Sequence, residues 1–126
     1  RTVFQATSTV EGRLRKNRNC FDLIEACFPG GSVTGCPKIR AMQIIDELEA
    51  SRRGIYTGAF GYIDFSGNLD FNILIRTLLL TRNEISFHVG GGIVADSDPA
   101  MEYDETWIKA KALIECLNEC GARSTV

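Results

Sequence analysis

Glu102, Glu105 and Lys109 stand at spacings of three and four residues near the C-terminal end of the chain. On a helix those spacings bring side chains to neighbouring positions on one face. Two carboxylates held so close repel, and binding a hard cation such as Mg²⁺ relieves the repulsion. The same spacing also describes a solvated surface with an ordinary Glu-to-Lys helix pair. Upstream, Gly90-Gly91-Gly92 lacks side chains, so its backbone N–H groups can approach an anionic ligand closely; a bulge or tight turn is the alternative. The segment Ser32 to Lys38, SVTGCPK, places two hydroxyls and an ammonium at a helix start, where free N–H groups suit a carboxylate or phosphate. It lacks the GxxxxGK[ST] spacing of a P-loop, and an ordinary helix start is the default reading. Arg76 interrupts the apolar run Ile73-Leu74-Ile75-Arg76-Thr77-Leu78. A guanidinium in mid-strand must find either solvent or an anion.

The elements that would position these residues follow from periodicity. Thr2 to Leu14 reads as an extended segment broken at Glu11-Gly12. Asn17 or Asn19 caps a short helix carrying Phe21, Leu23, Ile24, Ala26 and Cys27, which Pro29-Gly30-Gly31 ends. Ser32 to Gly35 reads as a polar loop. A helix follows over Pro37 to Glu49, with Ile39, Met42, Ile45 and Leu48 at helical spacing. Beyond the break at Arg52-Arg53-Gly54, three strands are expected at Ile55 to Phe65, Leu69 to Leu80 and Ile85 to Val89, joined by short turns as an antiparallel meander. Asp98-Pro99 opens a long helix to about Cys120, with Trp107, Ala110, Leu113, Ile114 and Leu117 as its apolar stripe and Gly121 as its stop. The expected class is α+β, an antiparallel sheet covered by helices.

The chain has 126 residues, of which 44% are apolar, enough for one modest domain with a single core. Charge is nearly balanced, 16 acidic residues against 14 basic, which argues against a nucleic-acid-binding protein. No apolar stretch reaches the roughly 18 residues of a membrane span, and no secretory signal opens the chain. Five cysteines without a CxxC pair, and a single histidine, His88, point away from zinc or a disulfide scaffold. Buried free thiols in a reducing cytoplasm are the expectation.

Five segments in register resemble the chorismate-binding family: STVEGRL, FPGGSVTGCPKIRAMQIIDELE, RRGIYTGAFGYIDFSGNLDFNILIRTLLL, GGGIVADSDP and ExxETxxKAKAL. That family includes component I of anthranilate synthase and of aminodeoxychorismate synthase, and the isochorismate and salicylate synthases. The resemblance covers nearly the whole chain and implies that residues 1–126 are the C-terminal portion of such a domain. It implies that Glu105 binds Mg²⁺ with Glu102 as its companion, the metal gripping the ring carboxylate of chorismate. Gly90 and Gly92, with Gly91 between them, match backbone contacts to chorismate. Lys109 matches a lysine near a substrate carboxylate, and Tyr56 and Arg76 match the pair that holds the enolpyruvyl carboxylate. Ser32 falls where relatives place a Ser or Thr in the pocket, and Lys38 at the same helix start is a candidate catalytic ammonium. Chorismate is a dianion, so a metal, an Arg, a Lys and directed N–H donors form a coherent set.

The PGGS form of the helix start resembles the aminodeoxychorismate branch, whereas anthranilate synthases more often carry PAGT. That branch implies amination of Mg²⁺-bound chorismate to 4-amino-4-deoxychorismate, on the route to folate, with ammonia supplied by a glutamine amidotransferase. Anthranilate formation, on the route to tryptophan, and a catalytically dead chorismate-binding or interaction module are the alternatives. Two departures matter. The family pattern VxHLxST appears as Val3-Phe4-Gln5-Ala6-Thr7-Ser8-Thr9, and a glutamine at position 5 hydrogen-bonds but cannot act as a general acid or base near neutral pH. The family's first acidic metal motif and much of its sheet lie upstream of this chain. The 126-residue chain alone is therefore expected to lack synthase activity and, with sheet edges uncovered, to self-associate.

Overall fold

A computed structural model of the chain describes residues 7–121, so Gln5 lies outside the described residues. Helix α1, Cys20–Cys27, begins where its sequence offers the strongest cap. Asn19 Oδ1 accepts from the N–H groups of Phe21 and Asp22 at 2.8 and 3.2 Å, and Asp22 returns the bond to the Asn19 N–H at 2.8 Å. This reciprocal box satisfies donors that a helix start otherwise leaves free. The segment expected as a polar loop is instead one helical turn, α2, Gly31–Thr34. The Gly30 carbonyl accepts from both the N–H and the hydroxyl of Thr34, and Gly35 stops the turn at φ 113°. Helix α3, Lys38–Leu48, follows with Pro37 at its N-cap and no side chain capping it.

The expected three-stranded meander is corrected to two separate hairpins. Strands β1, Ala59–Ile63, and β2, Leu69–Ile73, pair antiparallel with Ala59 opposite Ile73 and Ile63 opposite Leu69. Asp64 organises the tight connection: its Oδ1 accepts from the N–H groups of Ser66 and Asn68 at 2.8 and 2.9 Å. Strands β3, Leu79–Leu80, and β4, Ile85–Ser86, form the second, two-residue hairpin. What breaks the long strands is backbone handedness. Thr57 and Arg76 have φ of 63° and 51°, a region that non-glycine residues enter at a cost of about 1–2 kcal/mol, so neither can lie in a regular strand. Arg76 consequently sits in the link between the hairpins and is exposed.

Helix α4, Pro99–Glu119, is the longest element. Asp98 caps it, accepting from Ala100 and Met101 N–H groups at 3.0 Å each, and Gly121 at φ 73° closes it. Its expected apolar stripe is partly realised. Ala110 and Leu117 are buried, Leu113 and Ile114 are half-buried, and Trp107 is exposed. Along α3 the stripe faces solvent: Ile39 and Leu48 are each 77% exposed, and only Ile45 is half-buried. The helices and antiparallel hairpins make an α+β arrangement, but much of its apolar surface has no cover within the described residues. The cysteines are free; contrary to the expectation of burial, Cys20 is half-buried and the other four are exposed. No helix among the described residues is long and apolar enough to cross a membrane.

Candidate active site

The first turn of α4 is anchored to the segment before it through Ser97. The Ser97 hydroxyl accepts from the Val94 N–H at 3.0 Å and donates to Glu102 Oε1 at 2.5 Å. Glu102 is thereby fixed by one oxygen, in the helical turn where the dipole favours a negative charge. Its other oxygen faces the glycine run: a Cβ added to Gly91 would lie 3.0 Å from Glu102 Oε2 and 3.7 Å from Lys109 Nζ. Lys109 completes the contact, donating to the Gly90 carbonyl at 3.1 Å while its Nζ lies 2.5 Å from Glu105 Oε1. The Glu-to-Lys pair of an ordinary helix surface is present, but it is also tied to a backbone carbonyl nineteen residues away.

Tyr56 reaches the same glycines from the other direction. A Cβ at Gly90 would sit 2.8 Å from the Tyr56 hydroxyl, so the phenol would have to shift to admit any larger residue. The Tyr56 ring stacks on His88, with centroids 5.3 Å apart and planes 14° from parallel. Behind it lies Arg53, whose guanidinium carbon is 5.8 Å from the Tyr56 centroid, within range of a cation–π attraction. Arg53 grips Glu49 through Nε and Nη2, and Nη1 donates to the Val33 carbonyl at 2.9 Å. The hydrogen bond from Arg53 holds the Glu49 carboxyl below the usual carboxylate range, and the same bond raises Arg53 further.

Tyr56, Gly90, Gly91, Glu102, Glu105 and Lys109 are thus brought together from three separate stretches of sequence. Gly92 is exposed with open space where a Cβ would be, so within the described chain the close approaches fall on Gly90 and Gly91. Arg76 makes no ion pair among the described residues and no hydrogen bond to Tyr56. Ser32 is exposed, Lys38 is half-buried, and neither is hydrogen-bonded to the cluster. Sequence reasoning missed Ser97, His88 and Arg53. Ser97 carries a usable signal, a hydroxyl immediately before an Asp-Pro helix start; the other two carry none beyond their types. An open groove of about 880 Å³ beside α3 shares Glu49, Arg53, Tyr56 and Thr57 with this region but contains none of the residues on α4.

Glu102 and Glu105 present only oxygen donors, the kind Mg²⁺ prefers, and each engages a protein partner through Oε1. The donors therefore fit Mg²⁺ in kind. They supply part of a coordination sphere, since no third Asp, Glu, His or Cys joins them among the described residues.

The α+β arrangement and the five segments in register agree with what comparisons with known proteins show. The family described as chorismate binding enzyme matches residues 1–115, and the chain belongs to that family. It is 54% identical over 115 residues to an anthranilate synthase component I-like protein of Synechocystis sp., covering 91% of this chain and 24% of that protein. It is 49% identical over 117 residues to an aminodeoxychorismate synthase of Streptomyces griseus, covering 93% of this chain and 16% of that one. The crystal structure of anthranilate synthase component I from Streptococcus pneumoniae superposes with a TM-score of 0.75 at 46% identity, covering 79% of this chain and 23% of the other. The chain therefore spans about a quarter or less of the length of these relatives.

Proposed function

We propose that this chain is the carboxylate-holding portion of a Mg²⁺-dependent enzyme that aminates chorismate. The observation that carries the reading is the meeting at Gly90 of a phenol hydroxyl and an ammonium from opposite parts of the chain. Tyr56 donates its hydroxyl to the enolpyruvyl carboxylate, and the Arg76 guanidinium, free of internal partners among the described residues, turns to the same group. Lys109 neutralises charge next to the Gly90 carbonyl, while N–H groups of Gly90 to Gly92 contact the substrate. Ser32, at the α2 turn, and Lys38 are assigned to the substrate site on the resemblance alone. Glu102 and Glu105 hold Mg²⁺, which when bound draws negative charge from the ring carboxylate. A glutamine at position 5, in place of a histidine, offers hydrogen bonds but no group able to move a proton near neutral pH.

Ammonia comes from a glutamine amidotransferase and replaces the ring hydroxyl. The product on this reading is 4-amino-4-deoxychorismate, with the enolpyruvyl group retained, as a cytoplasmic step towards folate; the PGGS sequence supports it. A second reading, anthranilate with release of pyruvate, is favoured by the names of the Synechocystis and Streptococcus relatives. Incubating the full-length parent with chorismate, Mg²⁺ and ammonium, then measuring pyruvate and product mass, separates them. Retention of the enolpyruvyl group is expected; one pyruvate per turnover replaces the first reading with the second. No chorismate turnover and no Mg²⁺-dependent chorismate binding by the parent would overturn both. The purified 126-residue chain is expected to turn over no chorismate.

A further inference from the structure

Arg53 has an unusual set of obligations for a residue in a surface turn. Nε lies 2.8 Å from Glu49 Oε2, Nη2 lies 2.5 Å from Glu49 Oε1, and Nη1 donates both to the Val33 carbonyl and, at 3.3 Å, to Thr57 Oγ1. A guanidinium has five N–H donors, so nearly all of its capacity is spent inside the chain. It cannot also grip a substrate carboxylate without giving up these bonds. What it does touch is Tyr56, whose ring lies beneath it. It also steadies Thr57, a β-branched residue at φ 63°, a conformation that persists only where surroundings impose it. Thr57 in turn donates its hydroxyl to the Tyr56 carbonyl at 2.6 Å. Arg53 therefore acts on both the ring and the backbone of Tyr56. Arg53, Tyr56, Thr77 and His88 line one cleft, and there the Tyr56 ring stacks on His88, two residues before Gly90.

We propose that Arg53, clamped by Glu49, is a positioning residue that sets the Tyr56 hydroxyl for substrate binding. The α2 turn is coupled to the site through the same guanidinium by way of Val33. This rests on the reading of Tyr56 as a ligand of the chorismate carboxylate. Removing the guanidinium frees the Tyr56 hydroxyl to wander and weakens substrate binding rather than the chemical step.

The test is a double-mutant cycle in the full-length parent, reading KM and kcat for chorismate with melting temperature in parallel. Arg53→Met is expected to raise KM about tenfold with kcat within about twofold, the pattern of lost binding. In a Tyr56→Phe background, where no hydroxyl remains to be positioned, Arg53→Met is expected to change KM by less than about twofold, the non-additivity of residues acting through one another. Arg53→Lys is expected not to restore KM, because an ammonium cannot hold Glu49 as a fork and reach Val33 together. Glu49→Gln, a milder perturbation that keeps the guanidinium, raises KM in the same direction and serves if Arg53→Met does not fold. If Tyr56→Phe raises KM but Arg53→Met and Glu49→Gln do not, the positioning role is wrong and the site reading stands. An equal effect of Arg53→Met in both backgrounds also overturns it. If Tyr56→Phe itself leaves KM unchanged, the role of Tyr56 falls, and this inference with it.

Discussion

Gly90 is approached from two sides, and the two sides are built on different principles. On the α4 side every contact but one is local: Ser97 to Glu102, Glu105 to Lys109, and Asp98 to the N–H groups of the first turn. On the Tyr56 side the local bonds of Arg53 to Glu49 and Thr57 are joined by long-range contacts: Arg53 reaches Val33 twenty residues back, and Tyr56 stacks on His88, which follows β4. A locally built side keeps its geometry as long as its helix exists. A side assembled from distant stretches depends on the packing of everything between them. On the proposed reading, the carboxylates that would hold Mg²⁺ sit on the robust half, and the hydroxyl that would orient substrate on the half that neighbouring structure can tune.

Four changes in the full-length parent would break or sharpen this contrast. Gly90→Ala strikes the Tyr56 side at the residue where the two sides meet, since its Cβ would lie 2.8 Å from the Tyr56 hydroxyl. We expect kcat/KM for chorismate to fall about 100-fold, the scale of an ångström-level misplacement; a change under threefold would mean that the two sides do not meet at a working site. Ser97→Ala touches only the α4 side and releases Glu102. Mg²⁺ affinity, measured by calorimetry, should weaken about tenfold, as when an outer partner of a metal ligand is lost. Unaltered Mg²⁺ affinity would remove Glu102 from the metal site. Asp98→Ala tests whether the local side is held by its cap: unfolding in denaturant should show a loss of about 1 kcal/mol. A loss confined to chorismate binding, with stability unchanged, would contradict the contrast.

The smallest effect concerns pH. Glu49 is held below the ordinary carboxylate pKa by its bond to Arg53, so their pairing contributes stability above about pH 4.3 and loses it as pH falls through the lowered folded-state value. Both partners are partly exposed, which limits the contribution to about 0.5 kcal/mol. The stability difference between the parent and Glu49→Gln should be present at neutral pH and vanish in acid; a difference that grows in acid would reverse the assignment.

Much of the α4 side was legible in the sequence. Asp98-Pro99 and Gly121 mark the helix ends, and the spacing of Glu102, Glu105 and Lys109 places them on one face, because capping and helical period are properties of a few adjacent residues. Asn19 at the start of α1 and the β1–β2 hairpin were legible for the same reason. The extent of the strands was not. Alternation and β-branched residues suggest strands through Thr57 and Arg76, yet left-handed backbone at both positions divides the sheet, and no residue type there announces it. The one-turn α2 helix was hidden by its glycines and hydroxyls, which favour a loop until the Gly30 carbonyl collects both donors of Thr34.

By itself, then, the sequence determined the family, the helix ends and the list of charged groups that could serve a dianion. Local spacing and a motif in register encode those things directly. Only the tertiary structure decided that Tyr56 and Lys109 share Gly90, that Ser97 and Arg53 brace the two sides, and that Arg76 leaves the strand. It also decided that the apolar stripe of α3 faces outward, whereas α4 buries Ala110 and Leu117. Periodicity states which face of a helix would gain from burial. Whether a partner for that face exists in the same chain is set by contacts between distant residues, which no local pattern records.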